Sequence, residues 1–409
     1  MKTKTNWRNL QLQDVFEIAT GKTPSKKRED FFGGNIPFVK PGDLDKNKYI
    51  ETTEDSLTKL GLAQISELPP NTVLVSCIGN LGKKALLKTT AGCNQQINAI
   101  LPSPYIEPLF IYYYIDILKP WLAAHASATT VTILNKNTFA TAPIPVPPMA
   151  EQKRIVKKIE ELFGVIDRDI QRLTDTLEQL SQFRQSVLEK LLNNPVYPQI
   201  SFNDGIEKII GGSTPSKTVS AYYEGHIPFM TVKDMTSPRP QDTAWHITQE
   251  AVDNCSTHII PANTLITATR VGLGKTVLMP FPVAINQDLK ALVLNKNKVN
   301  TRFFEFILNA KTTEIISKSR GTTVKGITLE DFKSIKFYLP TLPEQQKIVD
   351  EIEKAFRSAD KVQKAVQNAL EEAKKLKQSI LKKAFAGELV PQDPNDKPVN
   401  LPVLKGKTK

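Results

Sequence analysis

The sequence predicts a mixed α/β protein in which two homologous globular lobes are joined by two long antiparallel coiled-coil helices, giving a pseudo-twofold internal repeat. Three observations predict it. The chain says nearly the same thing twice, about 193 residues apart; each copy closes in a helix-periodic stretch too long for a lobe; and each copy is otherwise made of short β-branched runs between turn-forming residues.

The repeat begins without a gap. Gly21, Thr23, Pro24, Ser25, Lys26, Gly34, Ile36, Pro37, Phe38 and Asp43 fall on Gly212, Thr214, Pro215, Ser216, Lys217, Gly225, Ile227, Pro228, Phe229 and Asp234. After one inserted residue Pro69, Asn71, Thr72, Gly82, Lys83, Asn94 and Gln95 match Pro261, Asn263, Thr264, Gly274, Lys275, Asn286 and Gln287. After another, Thr129, Thr130, Val131, Phe139, Pro147, Glu151 and Gln152 match Thr322, Thr323, Val324, Phe332, Pro340, Glu344 and Gln345. A unit of this size buries its own core, so the pattern is a duplicated domain and not a solenoid, whose repeats run about 20 to 50 residues.

Within each copy a Gly- and Pro-punctuated turn comes first. Runs at 73–78, 99–101 and 144–146, and again at 265–269, 291–294 and 335–339, are expected as strands, with one helix at 109–118 or 302–308. The long helices follow. Ile155, Ile159, Leu162, Ile166, Leu173, Leu177, Leu180, Val187 and Leu191 keep a three-four spacing, and Ile348, Ile352, Ala355, Ala359, Val362, Val366, Leu370, Ala373, Leu376, Ile380 and Ala384 do the same. Prolines precede each helix, and Asn194 with Pro195, or Gly387, stops it. A rod of some 42 residues is about 63 Å long, so the two are expected to pair. The first must deliver the chain to lobe two and the second must lead away from it, which makes them antiparallel. The expected divisions are lobe one at 1–149, first helix at 150–192, linker at 193–199, lobe two at 200–342, second helix at 343–386, and a tail at 387–409 that packs towards lobe one.

Composition narrows the class. The net charge is +12, and each lobe holds 16 Lys and Arg against 12 Asp and Glu, a matched excess that suits a polyanion touched at two equivalent places. No stretch approaches 18 apolar residues, and the start from Met1 to Leu10 is polar and basic with no apolar run, so a cytoplasmic protein is expected. Cys77, Cys93 and Cys255 fit no zinc spacing and are read as reduced core or near-core thiols.

Catalytic signatures are missing. The stretch Arg270 to Thr276 looks like a phosphate loop, yet Thr269 stands where the first glycine belongs, and the first copy lacks it too. It is better read as a glycine-permitted hairpin with Lys83 and Lys275 outward. Asn194, Pro195, Val196 and Tyr197 echo an adenine-methyltransferase motif but end a helix. His125, His226, His246 and His258 have neither metal spacing nor counterparts across the repeat. Asn94 with Gln95, and Asn286 with Gln287, could pair bidentately with adenine, although a buried amide satisfying backbone is the commoner use of such residues. The Thr-Thr-Val loops combine hydroxyls with nearby cations and suit phosphate gripping.

The duplicated order of Thr-Pro-Ser-Lys, Ile-Pro-Phe, Gly-x-Gly-Lys or its near copy, Asn-Gln, Thr-Thr-Val and a Pro-x-x-x-Glu-Gln helix opening resembles the specificity subunit of type I restriction-modification enzymes. The resemblance covers nearly the whole chain. It implies that each lobe is a target-recognition domain reading one half of a bipartite, non-palindromic site in double-stranded DNA. It also implies that the helices set the unread gap and dock two methyltransferase subunits, through which restriction subunits join. S-adenosylmethionine, ATP and Mg would then sit on those partners, and this chain would hold no cofactor, metal or catalytic residue. The candidate DNA contacts are Thr23, Ser25, Lys26, Lys40, Lys83, Lys84, Thr129 and Thr130 in lobe one. In lobe two they are Ser216, Lys217, Lys233, Arg270, Lys275, Lys318, Arg320, Thr322, Thr323 and Lys325. Two other readings compete: a stand-alone DNA methyltransferase or nuclease with fused recognition lobes, and a coiled-coil scaffold that binds no DNA.

Overall fold

The computed structural model describes residues 6–128, 131–321 and 325–400, so Thr129, Thr130, Thr322 and Thr323 lie outside the described residues. The chain divides into two units: residues 1–172 with 369–409, and residues 173–368.

In the first unit a five-stranded sheet runs in the order Ile18–Thr20, Ile97–Ile100, Val73–Ser76, Lys84–Leu87, Tyr49–Ile50. A smaller sheet sets Phe32–Val39 between Ser56–Leu57 and Gly92–Cys93, and Pro108–His125 is the lobe's main helix. The second unit repeats the plan. One sheet is ordered Ile206–Gly211, Leu289–Leu294, Thr264–Ala268, Thr276–Met279, and the other Trp245–Ile247, Ile227–Met230, Val283–Ile285, Ile259–Ile260, with the helix Thr301–Ala310. The strand pairings that hold the repeated Ile-Pro-Phe segments match: Pro37 faces Ser56 as Pro228 faces His246. Asn71 and Asn263, equivalent in the repeat, both adopt left-handed backbone (φ 67° and 60°) in the turn before a central strand, a conformation that asparagine tolerates better than most residues.

Two helices of 44 residues, Met149–Leu192 and Leu342–Phe385, follow the lobes. The first unit takes the start of the first helix and the end of the second. There Ile155, Ile159 and Ile166 share a core with Ile380, Leu381, Ala384 and Phe385, roofed by Phe110 and Tyr114 of the lobe. The second unit takes the remaining halves, with Leu188 and Leu192 in one core with Val349, Ile352 and the lobe's Phe202, Phe304 and Phe337. Start against end in one unit and end against start in the other is the pairing of antiparallel helices. Lys377 meets Asp167 and lies 4.9 Å from the Phe163 ring in the first unit, while Arg184 donates to Asp360 at 2.7 Å in the second.

The seam differs from the expected one both near a lobe and, at Val362, in the middle of a helix. Leu188 and Leu192 are buried where Val187 and Leu191 were expected, and Val362 and Leu376 are 45% and 52% exposed. A straight helix drifts by about 20° per heptad against a 3.5-residue repeat. Over 44 residues the apolar stripe therefore walks off a fixed seam, and close to a lobe it turns towards the lobe's own core.

The tail returns to the first unit, where Val399 is buried in the lobe-one core with Leu389 and Val390 packed against it. Arg154 of the first long helix holds Asp396, whose carbonyl accepts from the Asn6 amide at 3.2 Å.

Candidate nucleic-acid interface

Both lobes build the same small device from the same residues. Gly21 and Gly212 let a turn lie directly on the backbone at the start of the Asn-Gln pair: an added Cβ would stand 2.1 Å from the Asn94 carbonyl oxygen, or 1.9 Å from that of Ile285, the residue before Asn286. That contact delivers the next turn to the glutamine. The Thr23 hydroxyl donates to Gln95 Oε1 at 2.7 Å, and the Thr214 hydroxyl to Gln287 Oε1 at 2.6 Å. The asparagines are internal. Asn94 accepts from the Gln96 N–H at 3.1 Å, and Asn286 accepts from the Asp288 N–H at 3.2 Å while its own amide donates to the Asp288 carboxylate. Of the two readings of this motif, the asparagines take the structural one. The glutamines are exposed, and with Oε1 engaged each keeps an amide nitrogen that has no partner among the described residues.

Beside that device runs the glycine-bearing hairpin. Gly82 (φ 76°) and Gly274 (φ 84°) turn it, leaving Lys275 exposed and Lys83 half-buried. In lobe two Arg270 is half exposed and lies 3.6 Å from Asp288, so the Asn286-braced turn also steadies the guanidinium. The segment carrying Arg320 is attached here as well. Arg320 exchanges backbone hydrogen bonds with Gly326, and Ile327 N–H donates to the Thr269 carbonyl at 3.0 Å. Lobe one repeats the attachment, with Gly79 N–H on Thr132 and Leu134 N–H on Cys77. Arg320 is exposed and 3.4 Å from Asp331, Lys325 is exposed, and Lys318 caps the helix Thr312–Ser317 half-buried.

Ser25, Lys26, Ser216 and Lys217 are exposed on the turns that carry Thr23 and Thr214, and Ser216 shares a hydroxyl hydrogen bond of 2.7 Å with Thr218. Lys233 is exposed on a one-turn helix capped by Thr231. Lys40 is half-buried and ion-paired with Asp55. Lys84 departs from expectation. It is 4% exposed, its ammonium donates to the Tyr112 carbonyl at 2.7 Å and pairs with Asp116 at 2.5 Å, and burial pushes its pKa down to about 8 against the pull of Asp116. It opens the strand Lys84–Leu87, whose residues are all buried, and its ammonium is spent on the helix Pro108–His125, so it is an internal group and not a DNA contact.

Sequence reasoning read Gln152 and Gln345 only as part of a helix opening. Both are fully buried and make the same three bonds. Gln152 accepts from Glu107 N–H at 2.8 Å and donates to the carbonyls of Tyr105 and Pro147; Gln345 accepts from Asn300 N–H at 2.8 Å and donates to those of Lys298 and Pro340. Each glutamine thus clamps its long helix to the loop before the lobe helix. The recurrence of the Glu-Gln pair was the available signal. Carboxylates reinforce the clamp differently in the two units: Glu160 takes Lys48 at 2.7 Å, and its repeat equivalent Glu353 takes Arg302 at 2.8 Å.

Cys77 and Cys93 are buried free thiols, with burial pushing their pKa values up to about 11 and about 12, and Cys255 is free and half-buried. Among the described residues no group of three or more His, Cys, Asp or Glu is placed to hold a metal, and no helix is long and apolar enough to cross a membrane.

One family profile, described as the type I restriction modification DNA specificity domain, matches the chain twice, over residues 4–179 and 198–372. The type I restriction enzyme MjaIX specificity subunit of Methanocaldococcus jannaschii is 22% identical over 421 residues, covering 95% of this chain and 94% of that one. The HindI specificity subunit of Haemophilus influenzae is 30% identical over 199 residues, 46% of this chain and 42% of that one. A chain in a structure described as the basis of complex assembly and conformational transition of a type I restriction-modification system superposes with a TM-score of 0.76 at 20% identity, over 95% of this chain and all of that one. Carrying that domain twice over most of its length, this chain belongs to the type I restriction-modification specificity subunits.

Proposed function

We propose that each lobe reads one half of a bipartite, non-palindromic site in double-stranded DNA, that the paired helices fix the unread gap, and that the chain docks two methyltransferase subunits and, through them, restriction subunits. The observation that carries this reading is the duplicated Thr-Gln device, Thr23 with Gln95 and Thr214 with Gln287, set beside exposed cations in both lobes. A glutamine amide held by its oxygen offers donors to base edges, and arginine offers a fork for guanine. Difference between the half-sites is supported by divergence around the shared device: Lys40 and Asp55 pair in lobe one where lobe two has Thr231 and Trp245. The methyl donor, ATP and Mg would belong to the partner subunits.

The test is binding by the complex reconstituted from this chain and its methyltransferase subunits, on duplexes carrying the site. Affinity should fall steeply as salt rises, because cations at the DNA backbone release counterions. Arg270→Ala should cost about 1–3 kcal/mol and relax one position of the lobe-two half-site. Uniform weakening on every sequence would make Arg270 a phosphate contact instead, and salt-independent binding with no sequence preference would refute DNA reading altogether.

A further inference from the structure

In lobe two the Thr214–Gln287 device and Lys217 border a cavity of about 560 Å³ whose aromatic walls, Tyr223, Phe229 and Trp245, the reading above does not use. Trp245 is 50% exposed, a large apolar surface to leave in water, and it is firmly held. Its strand pairs with Phe229, the Thr243 hydroxyl donates to its carbonyl at 2.8 Å, and Tyr223 packs edge-on with ring centroids 5.5 Å apart. Tyr223 is itself fixed by donating its hydroxyl to the Pro215 carbonyl at 2.7 Å.

The chemistry of the walls selects the occupant. Aromatic faces and one lysine make a poor phosphate site, which needs several donors. A recessed pocket does not meet the edge of a base still stacked in a duplex, so the group that enters must stand out from the helix. A flat, apolar-faced group with a polar edge fits three aromatic walls with an amide beside them, and an unstacked base has that shape. We propose that this cavity takes one unstacked base of the lobe-two half-site, stacked on Trp245 and hydrogen-bonded by the Gln287 amide. The proposal rests on the DNA-reading function above. Lobe one lacks this aromatic wall: the residue paired with Phe38 as Trp245 is paired with Phe229 is Asp55, whose carboxylate is taken by Lys40. A base taken up by the recognition lobe itself, apart from any that a methyltransferase subunit extrudes for its own chemistry, is therefore expected in the lobe-two half-site.

The test uses the full chain reconstituted with its methyltransferase subunits, on duplexes in which each position of both half-sites is replaced in turn by an abasic residue. At one lobe-two position, Trp245→Ala should weaken binding about ten-fold to a hundred-fold when the base is present, the loss of one base–aromatic stack, and should have no effect when that position is abasic. Trp245→Phe should keep most of the affinity, and Gln287→Ala should weaken binding at the same position. Trp245→Ala weakening intact and abasic duplexes equally, or weakening neither, would overturn the pocket while leaving DNA reading intact. A wild-type complex with no preference for any sequence would instead remove the reading beneath it. Unchanged thermal unfolding of Trp245→Ala serves as the folding control.

Discussion

Single buried polar side chains decide how each lobe meets its helix. Gln345→Ala would strand the Asn300 N–H and the carbonyls of Lys298 and Pro340 away from water. It should cost about 2–4 kcal/mol, since each buried polar group left without a partner costs about 1–3 kcal/mol and the loop can relax partway. Urea unfolding of the full chain would measure this, and a loss below about 0.5 kcal/mol would mean that the clamp is ornamental. Lys84 gives a pH signature. Its folded pKa is about 8, against an ordinary 10.5, with burial the larger cause and Asp116 opposing it. Between those values the unfolded chain binds more protons than the folded one, so this residue's contribution to stability rises with pH from about 8 to 10.5 and is flat below 8. The unfolding free energy of the wild type minus that of Lys84→Met should climb between pH 8 and pH 10, by about 1.4 kcal/mol per pH unit at most; a flat or falling difference would contradict the burial argument. Residue roles of this kind were the least legible in the sequence. Lys83 and Lys84 look alike in a list of cations, and only the tertiary partners of Lys84, Tyr112 and Asp116, separate a buried charge from a half-buried one.

At the scale of elements, the long helices were legible because periodicity over 44 residues leaves no other regular structure available. Their antiparallel pairing followed from connectivity alone. The exact seam was not legible, because a heptad frame assumes a straight partner and these helices bury their ends on lobes. The tail had weaker signals, and what fixes it is specific: Arg154 to Asp396, and Val399 in the lobe-one core. Removing residues 387–409 should lower the stability of lobe one by about 2–5 kcal/mol, the order expected for uncovering buried apolar side chains and breaking a partly buried ion pair. Calorimetry should show one transition moving down with the other unchanged. An unaltered profile would count against a structural role for the tail.

For the whole molecule, the repeat made the duplicated fold and the family resemblance readable, because matched glycines, prolines and amides mark backbone that must recur. The Thr-Gln device was half visible: both residues stood in the repeated motifs, but about 72 residues separate them and no local pattern joins them. What the repeat conceals is divergence, since the positions that would distinguish one half-site from the other, such as Asp55 and Trp245, are those at which the copies disagree. A continuous helix of 44 residues measures about 66 Å, and under the proposed function a pair of them would serve as a stiffer spacer than a flexible linker of the same length. Under the proposed function one chain reads two different half-sites a fixed distance apart. Mapping modified adenines across the genome of the source organism, with the gene present and with it removed, tests this most directly. The expected result is a split, non-palindromic motif with a constant gap that vanishes when the gene is lost; a palindromic motif, a variable gap, or a motif that persists without the gene would overturn two-lobe reading.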